Sequence, residues 1–269
     1  VGVETQTLSV VALLCRTSDR SEHGAACARS LAEEIAARTG VTPRIVGTPE
    51  PPHDGAWDED LRDSRGCLLE AGGQISDALR AGLQPVLTAA DCSICITTLP
   101  EVARERPDAV VLWLDAHADF HSPQSTPSGY LDGMCLAAAC GVWEPGLVST
   151  DPFAPGAVVM AGVRDVDDGE LTALDLHGVV RAAGTEEVLE QITDRQVFIH
   201  LDLDVLDPDV LPGASSPVAG GLDADDLIDL FDAVTDEASE IIGVEITGLG
   251  SADHASLIAD VIAPLLDET

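Results

Sequence analysis

Residues 109–119 read Ala109-Val110-Val111-Leu112-Trp113-Leu114-Asp115-Ala116-His117-Ala118-Asp119. An unbroken apolar run gives way to acid, imidazole and acid. A strand that is apolar at every position is covered on both faces, as in a parallel strand sandwiched between helices. Working outward, short apolar runs at 10–14, 41–46, 85–88, 157–163, 196–201 and 240–247 read as further strands. Longer amphipathic stretches alternate with them: 21–38, stopped by Gly40, then 68–81, 93–104, 171–176, 185–193, 224–235 and 254–266. Residues 47–66, rich in Pro, Asp and Gly, read as a loop. This alternation predicts an α/β fold with an open, mainly parallel sheet and helices on both faces. No repeat, low-complexity segment or linker divides the chain, so residues 1–269 are expected to form a single domain.

The chain has 269 residues, 48 acidic against 13 basic, a net charge of -35, and 45% hydrophobic residues. That hydrophobic share excludes a disordered acidic tail. The length suits one large α/β domain. The basic residues are all arginine and are few, which excludes nucleic-acid backbone binding as a main role. An anionic membrane surface is excluded on the same ground. A metal ion or a cationic small molecule is drawn to such a surface, although solubility is the plainer reading of the charge. The longest apolar runs, such as 8–15, fall short of the roughly 18 residues a membrane span needs. The N-terminus has no cationic stretch with a cleavage site, so no signal peptide is expected. Seven cysteines, an odd number, read as free thiols in a reducing cytoplasm, with Cys15, Cys27 and Cys67 as ordinary buried small residues.

Chemistry concentrates at two strand ends. Asp115, His117 and Asp119 follow the 109–114 strand, and Asp202 and Asp204 follow the 196–201 strand. In extended backbone, alternate residues share a face, so each segment presents its donors together. The carboxyl ends of parallel strands are where open α/β sheets hold ligands. Four aspartates gathered there repel one another unless cations lie between them. Oxygen-rich donors with an imidazole suit Mn²⁺, Mg²⁺ or Fe²⁺ better than structural zinc. The donors suffice for two ions about 3.5–4 Å apart that share and acidify a water. Solvated aspartates at loop starts are the bland alternative, and the paired motifs weigh against it.

These residues resemble the ureohydrolases: arginase, agmatinase and formiminoglutamase. Asp115 to Asp119 is similar to D-A-H-x-D. Ser128-Gly129-Tyr130-Leu131-Asp132-Gly133-Met134 is similar to S-G-x-x-H-G-M, and residues 162–170 (GVRDVDDGE) to G-L-R-D-V-D-x-G-E. Residues 202–208 (DLDVLDP) resemble D-x-D-x-x-D-P, with Gly220-Gly221-Leu222 following, and Glu245 fits the family's active-site glutamate. The resemblance implies a three-layer α/β/α domain with an eight-stranded parallel sheet and two Mn²⁺ ions. It implies that Asp115 and Asp202 bridge the ions, that His117 and Asp204 serve one, and that Asp119 serves the other. A metal-bridging hydroxide would attack the guanidinium carbon, with Glu245 holding a guanidinium nitrogen. Asp167 and Glu170 match positions that receive an α-amino group. Thr126 and Ser128 match positions that receive an α-carboxylate, and Ser216 keeps a hydroxyl near the guanidinium. His121 follows the metal motif and is a candidate for the mouth of the site. The implied partner is a small guanidino amino acid; related enzymes are often trimers or hexamers, so a homo-oligomer is a further expectation.

Two positions depart from the family pattern. The family carries G-G-D-H-S after its third strand, with the histidine a metal ligand; here residues 89–93 read AADCS, so Cys92 stands in its place. Asp132 replaces the histidine of S-G-x-x-H-G-M, to which proton shuttling is assigned; a carboxylate can serve only with a raised pKa. Altered metal and shuttle positions beside a retained amino-acid grip favour Nω-hydroxy-L-arginine, whose guanidine is less basic, giving L-ornithine and hydroxyurea. The pattern is similar to that branch of the family which hydrolyses hydroxyarginine in antibiotic (D-cycloserine) biosynthesis. Arginase activity, or action on another guanidine or amidine, is the alternative. A non-catalytic binding protein on the same fold is a second class, against which the retained ligands argue. A phosphotransferase built on Asp202-Leu203-Asp204 is disfavoured by the late motif and the absence of lysine. Cys92 and Cys95 also form C-x-x-C, but Cys135 and Cys140 are poorly spaced to complete a zinc site. His200 reads as a core histidine with a satisfied hydrogen bond; His23, His53, His177 and His254 read as surface or capping residues.

Overall fold

A computed structural model describes residues 7–147 and 151–266. The termini of the expected 1–269 domain and residues 148–150 lie outside the described residues. The strands are β1 (Thr7–Leu13), β2 (Arg44–Val46), β3 (Leu83–Thr88), β4 (Val110–Leu114), β5 (Val158–Ala161), β6 (Val180–Arg181), β7 (Gln196–Asp202) and β8 (Glu240–Thr247). They form one eight-stranded sheet in the order β2-β1-β3-β8-β7-β4-β5-β6, parallel throughout. The helices are α1 (Gly24–Thr39), α2 (Trp57–Asp63), α3 (Arg65–Arg80), α4 (Cys95–Glu105), α5 (Cys135–Ala139), α6 (Asp168–His177), α7 (Thr185–Ile192), α8 (Ala224–Glu237), α9 (Ala255–Val261) and α10 (Ala263–Leu266).

Two hydrophobic clusters lie on opposite faces of the sheet, and alternation along each strand feeds them. Val110, Leu112 and Leu114 pack with Leu31, Phe231 and Ile258 of α1, α8 and α9. Val111 and Trp113 pack with Ile75, Leu99 and Leu136 of α3, α4 and α5. This is the three-layer α/β/α arrangement expected for strands without a polar face. Burying a core side chain of this size contributes about 1.5–3 kcal/mol.

Four local expectations are corrected. Residues 47–66 are not all loop, because α2 forms at Trp57–Asp63 with three acids in its first turn, where they oppose the helix dipole. β6, of two residues, carries too little pattern to read but adds the eighth strand. The 254–266 helix divides between α9 and α10 near Pro264, which lacks a backbone donor. Cys15 and Cys67 are not free thiols: they form a disulfide, their Cα atoms 5.7 Å apart. The turn after β1 and the start of α3 bring them into bridging range, which spacing in sequence does not reveal. Cys27, Cys92, Cys95, Cys135 and Cys140 are free and buried.

Candidate metal centre and active-site cleft

Loops at the carboxyl end of the sheet enclose a cleft of about 800 Å³. Its walls carry Asp19, Asp91, Asp115, Asp119, Asp132, Asp165, Asp167, Glu170, Asp202 and Asp204, against a single arginine, Arg20. Asp115 leaves β4, and Asp202 ends β7 beside it. The Asp115 carboxylate accepts from the His117 amide at 2.7 Å, and Asp202 accepts from the Asp204 amide at 2.8 Å. Asp204 accepts from the Ala116 amide at 3.0 Å, which ties the two strand ends together. Asp119 takes a left-handed backbone, φ 50°, a conformation aspartate tolerates better than most residues.

Three groups of donors have their ligand atoms within 4.8 Å of one another: Asp115, His117 and Asp204; Cys92, Asp119 and Asp132; Cys92, Asp115 and His200. His117 Nδ1 lies 3.0 Å from Asp204 and 3.4 Å from Asp115. Cys92 Sγ lies 2.9 Å from Asp202 Oδ2 and 3.0 Å from the Thr247 hydroxyl. Hence the first donor group holds both strand motifs, and the second joins the 3₁₀ turn after β3 to the 130–134 segment. Among the described residues, no such group contains a second cysteine.

Electrostatics explain why this arrangement suits cations. Burial, then the charge of Asp204, pushes Asp202 up to about 6. Burial, then neighbouring carboxylates, also raises Asp115, Asp119 and Asp132 well above the usual range. Burial opposes charge on His117, but hydrogen bonds to Asp115 and Asp204 outweigh it and raise the imidazole to about 12. Burial and the charge of Asp202 raise the Cys92 thiol. Without cations, gathering these carboxylates favours their protonated forms. Asp132 Oδ1 and His200 Nε2 are buried without hydrogen-bond partners, a condition that metal coordination relieves. The residues therefore fit a divalent-metal centre of carboxylate, imidazole and thiolate donors.

The remaining expected residues divide. His121, Ser128, Asp167, Glu170 and Ser216 line the cleft. His121 Nε2 lies 3.5 Å from Asp167, and Glu170 accepts from the Phe120 amide at 2.8 Å. Asp167 also caps α6, accepting from the Glu170 amide. Thr126 is not on the cleft wall; its hydroxyl accepts from the Gly129 amide at 3.0 Å and shapes the turn that presents Ser128. Glu245 is not among the residues lining the cleft; it is fully buried, with Oε1 2.7 Å from Nδ1 of His200. His200 occupies the adjacent position on β7, and one of its ring nitrogens lies within 4.8 Å of donor atoms of Cys92 and Asp115. His23 lines the mouth.

Sequence reasoning missed three supports. Asp91 is gripped by the hydroxyls of Thr17, Ser18 and Ser93, tying the loop after β1 to that after β3. Arg164 donates to the carbonyls of Gly162, Asp204 and Val218, which locks the loops after β5 and β7. Arg20 stacks over the Tyr130 ring at 4.1 Å. Hydroxyls at 17 and 18 near an acid at 91 leave no local pattern; Arg164, within GVRDVD, was the one legible signal.

A carboxylate-rich candidate metal centre at the end of a parallel sheet suits a hydrolase that activates water. The chain belongs to the arginase family, whose model matches residues 54–264, and it is a hydrolase acting on carbon–nitrogen bonds of amidines. It is 36% identical over 267 residues to the N(omega)-hydroxy-L-arginine amidinohydrolase of Streptomyces lavendulae, covering 94% of each chain. It is 34% identical over 198 residues to the arginase of Bacillus caldovelox, covering 66% of each. The solved native structure of that arginase superposes with a TM-score of 0.81 at 25% identity, over 98% of this chain and 99% of the other. The arginase structure from Bacillus subtilis gives 0.85 at 23% identity over the same shares, a likeness of fold.

Proposed function

We propose that the protein hydrolyses Nω-hydroxy-L-arginine, consuming one water and releasing L-ornithine and hydroxyurea. The observation that carries this reading is the paired change at the cluster: Cys92 at the metal-ligand position and Asp132 at the proton-shuttle position stand where the family has imidazoles. The likeness to a hydroxyarginine amidinohydrolase over nearly the whole chain supports it.

By the family resemblance, Asp115 and Asp202 would serve both ions, His117 and Asp204 one of them, and Cys92 and Asp119 the other. Two Mn²⁺ ions, when bound, supply a water acidic enough to be deprotonated near neutral pH. The chain's own residues do the rest. The cleft's carboxylates receive a cationic or hydrogen-bond-donating guanidine and exclude anions. Asp167 and Glu170, with His121 beside them, receive the α-ammonium. Ser128, with Thr126 shaping its turn, receives the α-carboxylate, and Ser216 faces the guanidine end. The bond that breaks joins the guanidine carbon to the side-chain nitrogen, and the departing amine must take a proton. Asp132 is the proposed donor; burial and its acidic neighbours, Asp91 first, raise its pKa, as a proton donor at this position requires. A hydroxylated guanidine loses less resonance energy on attack than a guanidinium, which matches a site without a shuttling imidazole.

The test is product analysis. Mn²⁺-loaded protein is incubated with Nω-hydroxy-L-arginine, and ornithine and hydroxyurea are measured by mass spectrometry. Equimolar products that vanish on chelation and return with Mn²⁺ are expected; metal-loaded protein that yields neither contradicts the reading. A homo-oligomer remains part of the proposal, read out by light scattering.

A further inference from the structure

His200 is fully buried in the middle of β7 and lies in register with Trp113 on β4 and Glu245 on β8. The Trp113 ring stacks on it, with centroids 3.6 Å apart and planes 3° from parallel. Glu245 Oε1 holds Nδ1 at 2.7 Å. The imidazole is therefore clamped on one side by an aromatic face and on another by a buried carboxylate. Its remaining nitrogen, Nε2, is buried and has no hydrogen-bond partner. A buried polar atom left unpaired costs about 1–3 kcal/mol, so this one calls for a ligand.

The cluster provides one. A ring nitrogen of His200, the Cys92 sulfur and an Asp115 carboxylate oxygen lie within 4.8 Å of one another. With Nδ1 engaged by Glu245, Nε2 is the nitrogen free to serve a cation. A carboxylate on the far nitrogen fixes the tautomer with its lone pair on Nε2, and makes that nitrogen a stronger donor. We propose that His200, oriented by Glu245, ligates the metal ion held by Cys92 and Asp115. In this chain an imidazole of that site comes from within β7, and Glu245 serves as the residue that positions it. This rests on the proposed metal centre and deepens it.

The test is Mn²⁺ binding to the full chain, by calorimetry and by metal analysis after gel filtration, on wild type, His200→Asn, Glu245→Gln, and Cys92→His combined with His200→Asn. Wild type is expected to bind two ions. His200→Asn should lose one ion or bind it more than tenfold more weakly. Glu245→Gln should weaken the same ion by about 10–100-fold, as loss of an orienting partner does. The double variant should recover the second ion, because the new imidazole at position 92 restores the donor. In Co²⁺-loaded protein, the thiolate charge-transfer band of Cys92 should shift in His200→Asn, since both ligate one ion. Thermal unfolding by circular dichroism accompanies each measurement. A His200→Asn protein that melts earlier yet binds two ions with wild-type affinity overturns the proposal and leaves His200 a core residue; so does Glu245→Gln with unchanged affinity. A wild type that binds no Mn²⁺ overturns the metal centre itself.

Discussion

Asp202 shows at the scale of one residue how burial is turned to use. Its carboxylate accepts from the Cys92 thiol, the Asp204 amide and the Thr247 hydroxyl. Burial and then Asp204 still push it to about 6 from an ordinary 3.8, and burial with Asp91 pushes Asp19 to about 7. In the metal-free protein such groups favour folding only while protonated. Their contribution is full below the unfolded value of 3.8 and is lost as pH rises through about 6 to 7. His117, raised to about 12 from 6.5, has the same sign: its contribution is full below 6.5 and fades as pH climbs toward 12. Asp204, lowered chiefly by His117 against its burial, runs the other way, but only as pH falls through its lowered value. Bound cations replace the missing protons. The rise in Tm on adding Mn²⁺ should therefore be larger at pH 8 than at pH 5, with protons released on binding. Calorimetry in buffers of differing ionisation enthalpy checks this; an equal or smaller rise at pH 8 refutes it.

At the scale of elements, the strand ends were legible because period-two spacing puts Asp115, His117 and Asp119 together, and Asp202 with Asp204. The unbroken apolar run of β4 made the sheet legible for the same physical reason, burial on both faces. Partnerships across elements were not legible. Nothing in sequence links His200 to Glu245 or Arg164 to the carbonyl of Val218, since each pairing exists only once β7, β8 and the loops are assembled. The match of Glu245 to a family position gave its place on β8 but not its hydrogen-bond partner, His200. Gly248, just past β8, shows how closely the elements meet. Its φ is 79°, and a Cβ there would run into the Asp202 carboxylate. Gly248→Ala should cost about 1–2 kcal/mol for the left-handed backbone alone. It should also lower Mn²⁺ content by displacing Asp202. Urea unfolding and metal analysis read the two effects; a variant with full metal content and unchanged stability contradicts this role for Gly248.

At the scale of the molecule, the net charge of -35 and the acidic cleft act together. Cations and guanidines concentrate there, while each buried acid adds self-repulsion that the fold must offset. One restraint is the Cys15–Cys67 disulfide, which spans a sequence separation of 52 residues. Its loop joins the turn after β1, which leads to Asp19 and Arg20 at the cleft, to α3. Closing a loop of that length limits the unfolded chain by about 4 kcal/mol in the chain-entropy description. Reducing agent should lower the urea midpoint of the wild type and leave that of Cys67→Ser unchanged; equal midpoints for oxidised and reduced wild type contradict it.

The most direct test of the whole reading is a comparison of kcat/KM for Nω-hydroxy-L-arginine and L-arginine on one Mn²⁺-loaded sample of known metal content. The hydroxylated substrate is expected to be favoured by about tenfold or more, about 1.4 kcal/mol of transition-state discrimination. Arginine turned over with the higher kcat/KM would contradict it, and would make Cys92 and Asp132 variants of an ordinary arginase centre.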